Sequence, residues 1–306
     1  MSAVSIRAVS HTYGQRRALD GVSLEIASGE LFAILGPNGG GKTTLFRLLS
    51  TLIPLQSGEV SLAGHDLRNA AYEIRRRIGI VFQSPSLDKK LTVRENLRYQ
   101  AALYGLAGPE LRRRELEALQ QFGLADRAGE LCEKLSGGLR RRVELAKSML
   151  HHPQIVLLDE PSTGLDPGAR LDLWRYLTQL RDIRGTTIVL TTHILEEAAK
   201  ADRLAILHQG KLVALDTPAA LQAEVGGDAI TIRTKDSARL IRSVADKFQI
   251  AATEIDGGVR LEVPEGHQWI ARLVEALPGQ IDEITLGKPT LEDVFIARTG
   301  HRFHSS

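Results

Sequence analysis

The sequence predicts an α/β protein in two parts. The first is a mainly parallel sheet covered by helices on both faces, with an antiparallel β part and a helical insertion. The second is a smaller α+β domain. Three observations carry that expectation. Short apolar runs such as "LFAIL" (31–35), "QIVLLDEP" (154–161) and "TTIVLTTH" (186–193) alternate with amphipathic helical patterns, as buried parallel strands and crossover helices do. A glycine-rich turn, "GPNGGGKTT" (36–44), joins one such run to a helix. Beyond residue 226 the pattern becomes strand-helix-strand-strand-helix-strand.

The bulk numbers agree. The chain has 306 residues, room for two domains of roughly 100–200 residues each. It is 43% hydrophobic and 25% charged, ordinary for a globular chain with a sizeable core. A net charge of +2 argues against a protein held on nucleic acid by charge alone, and no nucleic-acid partner is expected. Cys132 stands alone in the sequence, which precludes an internal disulfide and fits a reducing compartment. The start, "MSAVSIRAVSHTYGQRR", lacks an apolar signal core. No apolar run approaches the roughly 20 residues of a membrane helix. The expectation is a protein that does not cross a membrane but can dock onto one that does.

Element by element, "VSIRAVSHTY" (4–13) and "VSLEIASGELFAIL" (22–35) read as strands by β-branched content and partial alternation. "GPNGGGKTTLFRLLSTLI" reads as a turn running into a helix stopped near Pro54. "SGEVSLAG" (57–64) and "IGIVFQ" (78–83) read as further strands. Residues 84–150 then carry three helical patterns, "TVRENLRYQAALYGL", "GPELRRRELEALQQFGL" and "SGGLRRRVELAKSMLHH", and form the expected helical subdomain. "GARLDLWRYLTQLRDIRG" spaces Leu171, Trp174, Leu177 and Leu180 along one helix that Gly185 ends.

The domain boundary is expected in "LDTPAALQAEVGG", giving domains 1–226 and 227–306. In the second, "AITIRT" is a strand and "SARLIRSVADKFQI" a helix. "AATEID" and "VRLEVP" form a hairpin through Gly257-Gly258, "HQWIARLVEALPG" is a helix and "IDEITLG" a strand. That order is the ferredoxin-like β-α-β-β-α-β arrangement, with "TLEDVFIARTG" as a closing helix.

The chemistry concentrates in a few segments. "GPNGGGKTT" fits G-x-x-x-x-G-K-[ST] at Gly36, Gly41, Lys42 and Thr43, the P-loop pattern, with a strand before it and a helix after it. Gly36, Pro37, Asn38, Gly39, Gly40 and Gly41 would curl the backbone so that N–H groups face phosphate oxygens, and Thr44 continues that cradle. Lys42 supplies a charge to the β- and γ-phosphates, and the Thr43 hydroxyl is a ligand for Mg²⁺. "IVLLDEP" ends a buried strand on Asp159 and Glu160, where an open parallel sheet binds ligands. Asp159 suits the Mg²⁺ shell through water; Glu160 can reach the water that attacks the γ-phosphate. "LSGGLRRRVELAKSML" (135–150) puts Ser136, Gly137 and Gly138 at a helix start, a second anion site on the same chain.

The P-loop, "LSGG", "LLDEP" and "TTH", in this order and at these separations, resemble the nucleotide-binding subunit of an ATP-binding cassette (ABC) transporter over roughly residues 4–220. The resemblance implies a P-loop NTPase cassette that binds ATP with Mg²⁺ and hydrolyses it. It implies a head-to-tail dimer of two copies in which Ser136, Gly137 and Gly138 grip the γ-phosphate on the partner's P-loop. Physically, a P-loop leaves one side of the γ-phosphate open, and a helix N-terminus can close it.

By the same resemblance Tyr13 stacks on adenine, and Gln83 is the Q-loop glutamine that touches Mg²⁺ or water and senses the membrane partner. Asp166 in "STGLD" stands at the dimer seam, and His193 holds the γ-phosphate and orients Glu160. The implied partner is a separate polytopic membrane permease, and the implied place is the cytoplasmic face of the cell membrane, bound peripherally. The signature departs from the family's commonest form, with Leu139 where glutamine is usual. That residue, the arginines after it and "KPTLEDVFIARTGH" (288–301) resemble the drug- and antibiotic-export branch, related to daunorubicin-resistance exporters.

A second reading is a soluble ABC-type ATPase acting on ribosomes or DNA. One cassette and no long heptad arm speak against it. The C-terminal domain has two open uses, a ligand sensor or a dimer-stabilising appendage. The arginine runs Arg75–Arg77, Arg112–Arg114 and Arg140–Arg142 are expected on solvated faces or intersubunit contacts. His301 and His304 lie in a polar tail with no evident co-ligands.

Overall fold

A computed structural model of the chain describes residues 2–255, 258–301 and 303. It divides into two compact units between Leu215 and Asp216. The first runs β1 (Ser2–Tyr13), β2 (Arg16–Ala27), β3 (Leu31–Leu35), α1 (Lys42–Leu49), β4 (Ser57–Leu62), β5 (His65–Asp66), α2 (Ala71–Arg75) and β6 (Ile78–Val81). Then come α3 (Val93–Leu103), α4 (Gly108–Gln121), α5 (Gly137–Met149), β7 (Ile155–Asp159), α6 (Pro167–Arg184), β8 (Thr187–Thr192), α7 (Leu195–Ala198), β9 (Arg203–His208) and β10 (Lys211–Asp216).

Two sheets result. A four-stranded one runs β2-β1-β4-β5 with antiparallel pairing, and a six-stranded one runs β10-β9-β3-β8-β7-β6, parallel from β9 to β6. Strands β3, β7 and β8 are buried at every residue, as their unbroken apolar runs require of strands covered on both faces. Leu45, Phe46, Leu48 and Leu49 of α1 join the two sheets in one core with Ile6, Leu24, Val60, Ile34 and Val189. Helix α1 is thereby fixed at the carboxyl ends of the parallel strands. Between β6 and β7, α3, α4 and α5 pack on one another as the expected helical subdomain. Thr92 opens α3 with a capping box closed by Glu95.

Some expectations need correction. "VSLEIASGELFAIL" is two strands in two different sheets, not one. The chain turns at Ser28–Glu30, where the Ala27 N–H donates to the Glu30 carboxylate at 2.7 Å and Gly29 has φ 75°. Helix α1 ends at Leu49, short of Pro54, because Thr51 takes a left-handed φ of 62°. Leu171 is exposed; the buried stripe of α6 is Leu173, Trp174, Leu177 and Leu180. Gly185 does end α6, in the left-handed conformation. Among the described residues, no helix is long and apolar enough to cross a membrane.

The second unit runs α8 (Pro218–Val225), β11 (Asp228–Arg233), α9 (Ser237–Phe248), β12 (Ala252–Ile255), β13 (Gly258–Val263), α10 (Gly266–Ala276), β14 (Glu283–Gly287) and α11 (Leu291–Thr299). Its sheet is antiparallel in the order β12-β13-β11-β14, which is the ferredoxin-like topology. One face packs Ile230, Ile232, Val259 and Leu261 against Leu240 and Val244 of α9 and Leu273 of α10. From the other face Arg260 reaches Asp293 of α11 at 2.5 Å. The stretch expected to hold the domain boundary contains α8, which packs on α11, and Arg298 pairs with Glu224 across them. Helix α8 thus falls in the second compact unit, which begins at Asp216. Gly258 opens β13, while Gly257 of the expected hairpin turn and His304 of the tail lie outside the described residues.

Candidate functional site

The glycine-rich turn spans residues 36–41, between the end of β3 and the start of α1. Its glycines answer to two constraints. A Cβ on Gly36 would stand 2.3 Å from the Leu207 carbonyl oxygen of β9, so the turn lies directly against the neighbouring strand. Gly41 caps α1 at φ 109°, a conformation that side chains resist. No side chain caps the α1 N-terminus, so its first N–H groups face outward with the helix dipole behind them. A cavity of about 420 Å³ opens there, lined among others by Tyr13, Asn38, Gly39, Gly41, Lys42, Thr43, Thr44 and Glu160.

Lys42 is buried, and its Nζ donates to the carbonyls of Gly36 at 2.7 Å and Pro37 at 3.1 Å. Glu160 Oε1 lies 3.6 Å from the same nitrogen. Burial pushes the ammonium below its ordinary pKa, and the Glu160 charge opposes that shift.

Glu160 is where the separate segments meet. Its Oε2 accepts from Gln83 Nε2 at 3.2 Å and from Thr163 Oγ1 at 3.4 Å, and it stands 3.1 Å from His193 Nδ1. The residue holds a left-handed φ of 42° directly after β7, a strained backbone of the kind that clusters at functional sites. Beside it, Asp159 Oδ1 accepts from Thr191 Oγ1 of β8 at 2.6 Å, and Thr191 Oγ1 accepts from the Glu160 N–H at 3.0 Å. Burial pushes the Asp159 carboxyl above its usual pKa; the Thr191 hydrogen bond works the other way.

The outer candidates are less concentrated. Tyr13, 44% exposed, packs against His11 in a T-shaped contact with ring centroids 4.7 Å apart. Asp166 caps α6, accepting from the Ala169 N–H at 2.9 Å. Ser136 caps α5, accepting from the Leu139 N–H at 3.3 Å. Gly137 and Gly138 then differ. Nothing stands within 4 Å of where a Gly137 Cβ would be, whereas a Gly138 Cβ would meet the Ala169 Cβ at 2.7 Å. The P-loop cavity has none of Ser136, Gly137 or Gly138 in its wall; Gly137 lines a separate cleft with Gln83 and Thr163.

Several residues at the site escaped sequence reading. Arg16 and Arg47 line the P-loop cavity, Arg16 with its guanidinium over Gly39. Arg47 was legible in principle, as a base one turn beyond Thr43 on α1. Arg141 is buried rather than solvated, while Arg113 and Arg114 pair with Glu110 as surface runs do.

Residues 19–163 match the family model described as ABC transporter. A daunorubicin resistance ATP-binding protein of Streptomyces coeruleorubidus (DrrA2) is 40% identical over 98% of this chain and 96% of its own length. Nod factor export ATP-binding protein I of Burkholderia thailandensis is 37% identical over 98% of each chain. An ATP-binding cassette solved as a dimer in a post-hydrolysis state with ADP and Pi superposes with a TM-score of 0.63 at 30% identity, covering 70% of this chain and 98% of that one. The alternative of a soluble ATPase on ribosomes or DNA is not favoured by these relatives. The P-loop, the Asp159-Glu160 strand end and this kinship over nearly the whole chain lead to one statement: the chain belongs to the ABC transporter family, as an ATP-binding subunit that hydrolyses ATP.

Proposed function

We propose that two copies of this chain close around two ATP molecules and drive export through a separate polytopic membrane permease, bound peripherally at the cytoplasmic face of the membrane. The observation that carries the reading is the convergence on Glu160 of the P-loop Lys42, Gln83 and His193, side chains from three distant segments, with Thr163 from its own turn, at one strand end. Glu160 takes the proton of the attacking water, and His193 fixes its carboxylate and reaches toward the γ-phosphate. Lys42 exchanges its carbonyl partners for phosphate oxygens, and the free N–H groups of α1 complete the cradle. Tyr13 stacks on adenine.

The donors near the site suit Mg²⁺: the Thr43 hydroxyl, the Gln83 amide oxygen and, through water, Asp159 are hard oxygen ligands. Bound there with ATP, the ion supplies charge neutralisation at the phosphates. Among the described residues, no three acidic, histidine or cysteine side chains form a metal cage.

The separation of Ser136–Gly138 from the chain's own P-loop cavity supports their use on the partner's nucleotide, with Asp166 at the seam. The helical subdomain and the "SPSLDKKLTVREN" segment after Gln83 are the expected links to the permease. Export and a drug-like cargo rest on the names of the relatives. The C-terminal unit serves as a dimer-stabilising appendage in this reading, and a deletion that respects its packing begins after Leu215. Isolation of the chain from detergent-solubilised membranes tests the account. A stoichiometric polytopic membrane protein is expected; a ribosome or DNA in its place contradicts it.

A further inference from the structure

The helix that begins with Ser136–Gly138 also holds the loop that carries Gln83. Arg141 and Glu144 lie on one face of α5 and are 6% and 3% exposed. Charged residues are seldom so buried without a dedicated partner. Arg141 Nη1 donates to the Phe82 carbonyl at 2.8 Å and to Glu144 Oε2 at 2.8 Å, and Nη2 donates to the Gln83 carbonyl at 3.3 Å. Glu144 Oε1 accepts from the Ser86 N–H at 2.7 Å, and one turn on Lys147 Nζ donates to the Ser86 carbonyl at 2.8 Å. Strand β6 ends at Val81, so these bonds give the loop backbone partners that the sheet does not.

Gln83 is thus held at both ends. Its carbonyl is tied to α5 through Arg141, and its amide donates to Glu160. The N-terminus of α5 lies only about 7 Å along the helix from Arg141. A helix of 13 residues does not absorb displacement over that distance.

We propose that Arg141 and Glu144 are positioning residues that lock the 82–86 loop to α5, so that Gln83 at one nucleotide and the Ser136–Gly138 grip on the other nucleotide of the dimer move as one piece. The inference rests on the two-copy reading above. The pair also satisfies loop backbone groups at Phe82, Gln83 and Ser86, so it stabilises the fold as well, and thermal unfolding reads that share separately from turnover. Arginine suits 141 because its planar fork divides the three acceptors between two nitrogens, Nη1 for the Phe82 carbonyl and Glu144 and Nη2 for the Gln83 carbonyl, where lysine offers one flexible point charge.

The test uses the full chain with two variants, Arg141→Leu/Glu144→Leu and Arg141→Lys. ATP turnover against ATP concentration, equilibrium binding of ATP and thermal unfolding are measured on each. The double variant leaves no lone buried charge, so it should fold, with stability lowered by the loop backbone groups it leaves without partners, and bind ATP like the parent. Its kcat should fall by roughly tenfold to a hundredfold, with the Hill coefficient dropping to one. Arg141→Lys keeps the pair with Glu144 but not the fork, and should fall between. If the double variant does not fold, Arg141→Lys decides: reduced kcat at unchanged ATP affinity upholds the proposal, and parent-like kcat overturns it. Parent kcat and Hill coefficient in the double variant overturn it too, as does parallel loss of binding and turnover. In a Glu160→Gln background, ATP-driven dimerisation tests the two-copy reading separately. If dimers form there equally well with and without the Arg141–Glu144 pair, the present inference alone fails.

Discussion

Replacing Glu160 by glutamine separates the two roles that the structure gives its carboxylate. The side chain keeps its size and the strained φ of 42° is unaltered, so the backbone after β7 should hold. Chemistry loses its proton acceptor, a loss of roughly 10²–10⁴ in turnover, or about 3–5 kcal/mol of transition-state stabilisation. The ATP-free protein loses something different. Lys42, 4% exposed, no longer has the carboxylate 3.6 Å away. Breaking a buried ion pair commonly costs about 3–5 kcal/mol. Here the Gly36 and Pro37 carbonyls remain on the ammonium, so about 1–3 kcal/mol is the expected destabilisation. Phosphate oxygens replace the missing charge when ATP binds, and the penalty disappears. Glu160→Gln should therefore be less stable than the parent without ATP and gain more stability from ATP. Denaturant unfolding with and without ATP reads the second effect, and phosphate release reads the first. Turnover at the parent rate would refute the assignment of Glu160, and an equal ATP-induced stabilisation in both proteins would refute the Lys42 argument.

The signature glycines should part company. Gly137→Ala, in open space on a helix, should preserve stability or raise it by up to about 1 kcal/mol while weakening ATP-driven dimerisation. Gly138→Ala, pressed on Ala169, should cost about 1–3 kcal/mol of stability, read by denaturant unfolding. Asp159 has a raised pKa from burial, so falling pH neutralises it earlier than an ordinary aspartate. Mg²⁺-dependent tightening of ATP binding should fade on acidification, and Asp159→Asn should flatten the share of that fading due to the carboxylate, leaving the share due to protonation of the ATP phosphate, in a binding titration. His151, stacked on Tyr104 and bonded to the Ile78 carbonyl, is pushed down to about 4 by burial. Its folded pKa lies below the unfolded one, so its contribution is complete above about pH 6.5 and lost toward pH 4, up to about 3 kcal/mol. His151→Phe should flatten unfolding stability across that window.

What the sequence made legible was local. The spacing from Gly36 to Thr43 and the adjacent Asp159 and Glu160 are short motifs whose chemistry follows from residue type and flanking strand pattern. Alternation of strand and helix in residues 229–287 was enough for the ferredoxin-like order. Contacts between distant segments were not legible. Arg141 reads as one of three consecutive arginines, and only packing of α5 on the 82–86 loop buries it and turns it toward two carbonyls. The split of 22–35 into two sheets turned on a Ser-Gly pair that alternation alone passes over. Helix α8 lies in the stretch where only a break between domains was read; Pro218 is its first residue and Gly226 its cap.

The most direct measurement is the mass of the Glu160→Gln chain in solution by light scattering, with and without saturating ATP, beside the same variant carrying Ser136→Arg. A nucleotide shared between P-loop and signature predicts twice the chain mass only with ATP and only while Ser136 is intact. One chain mass in every condition, or doubling that ignores both ATP and Ser136→Arg, would contradict it.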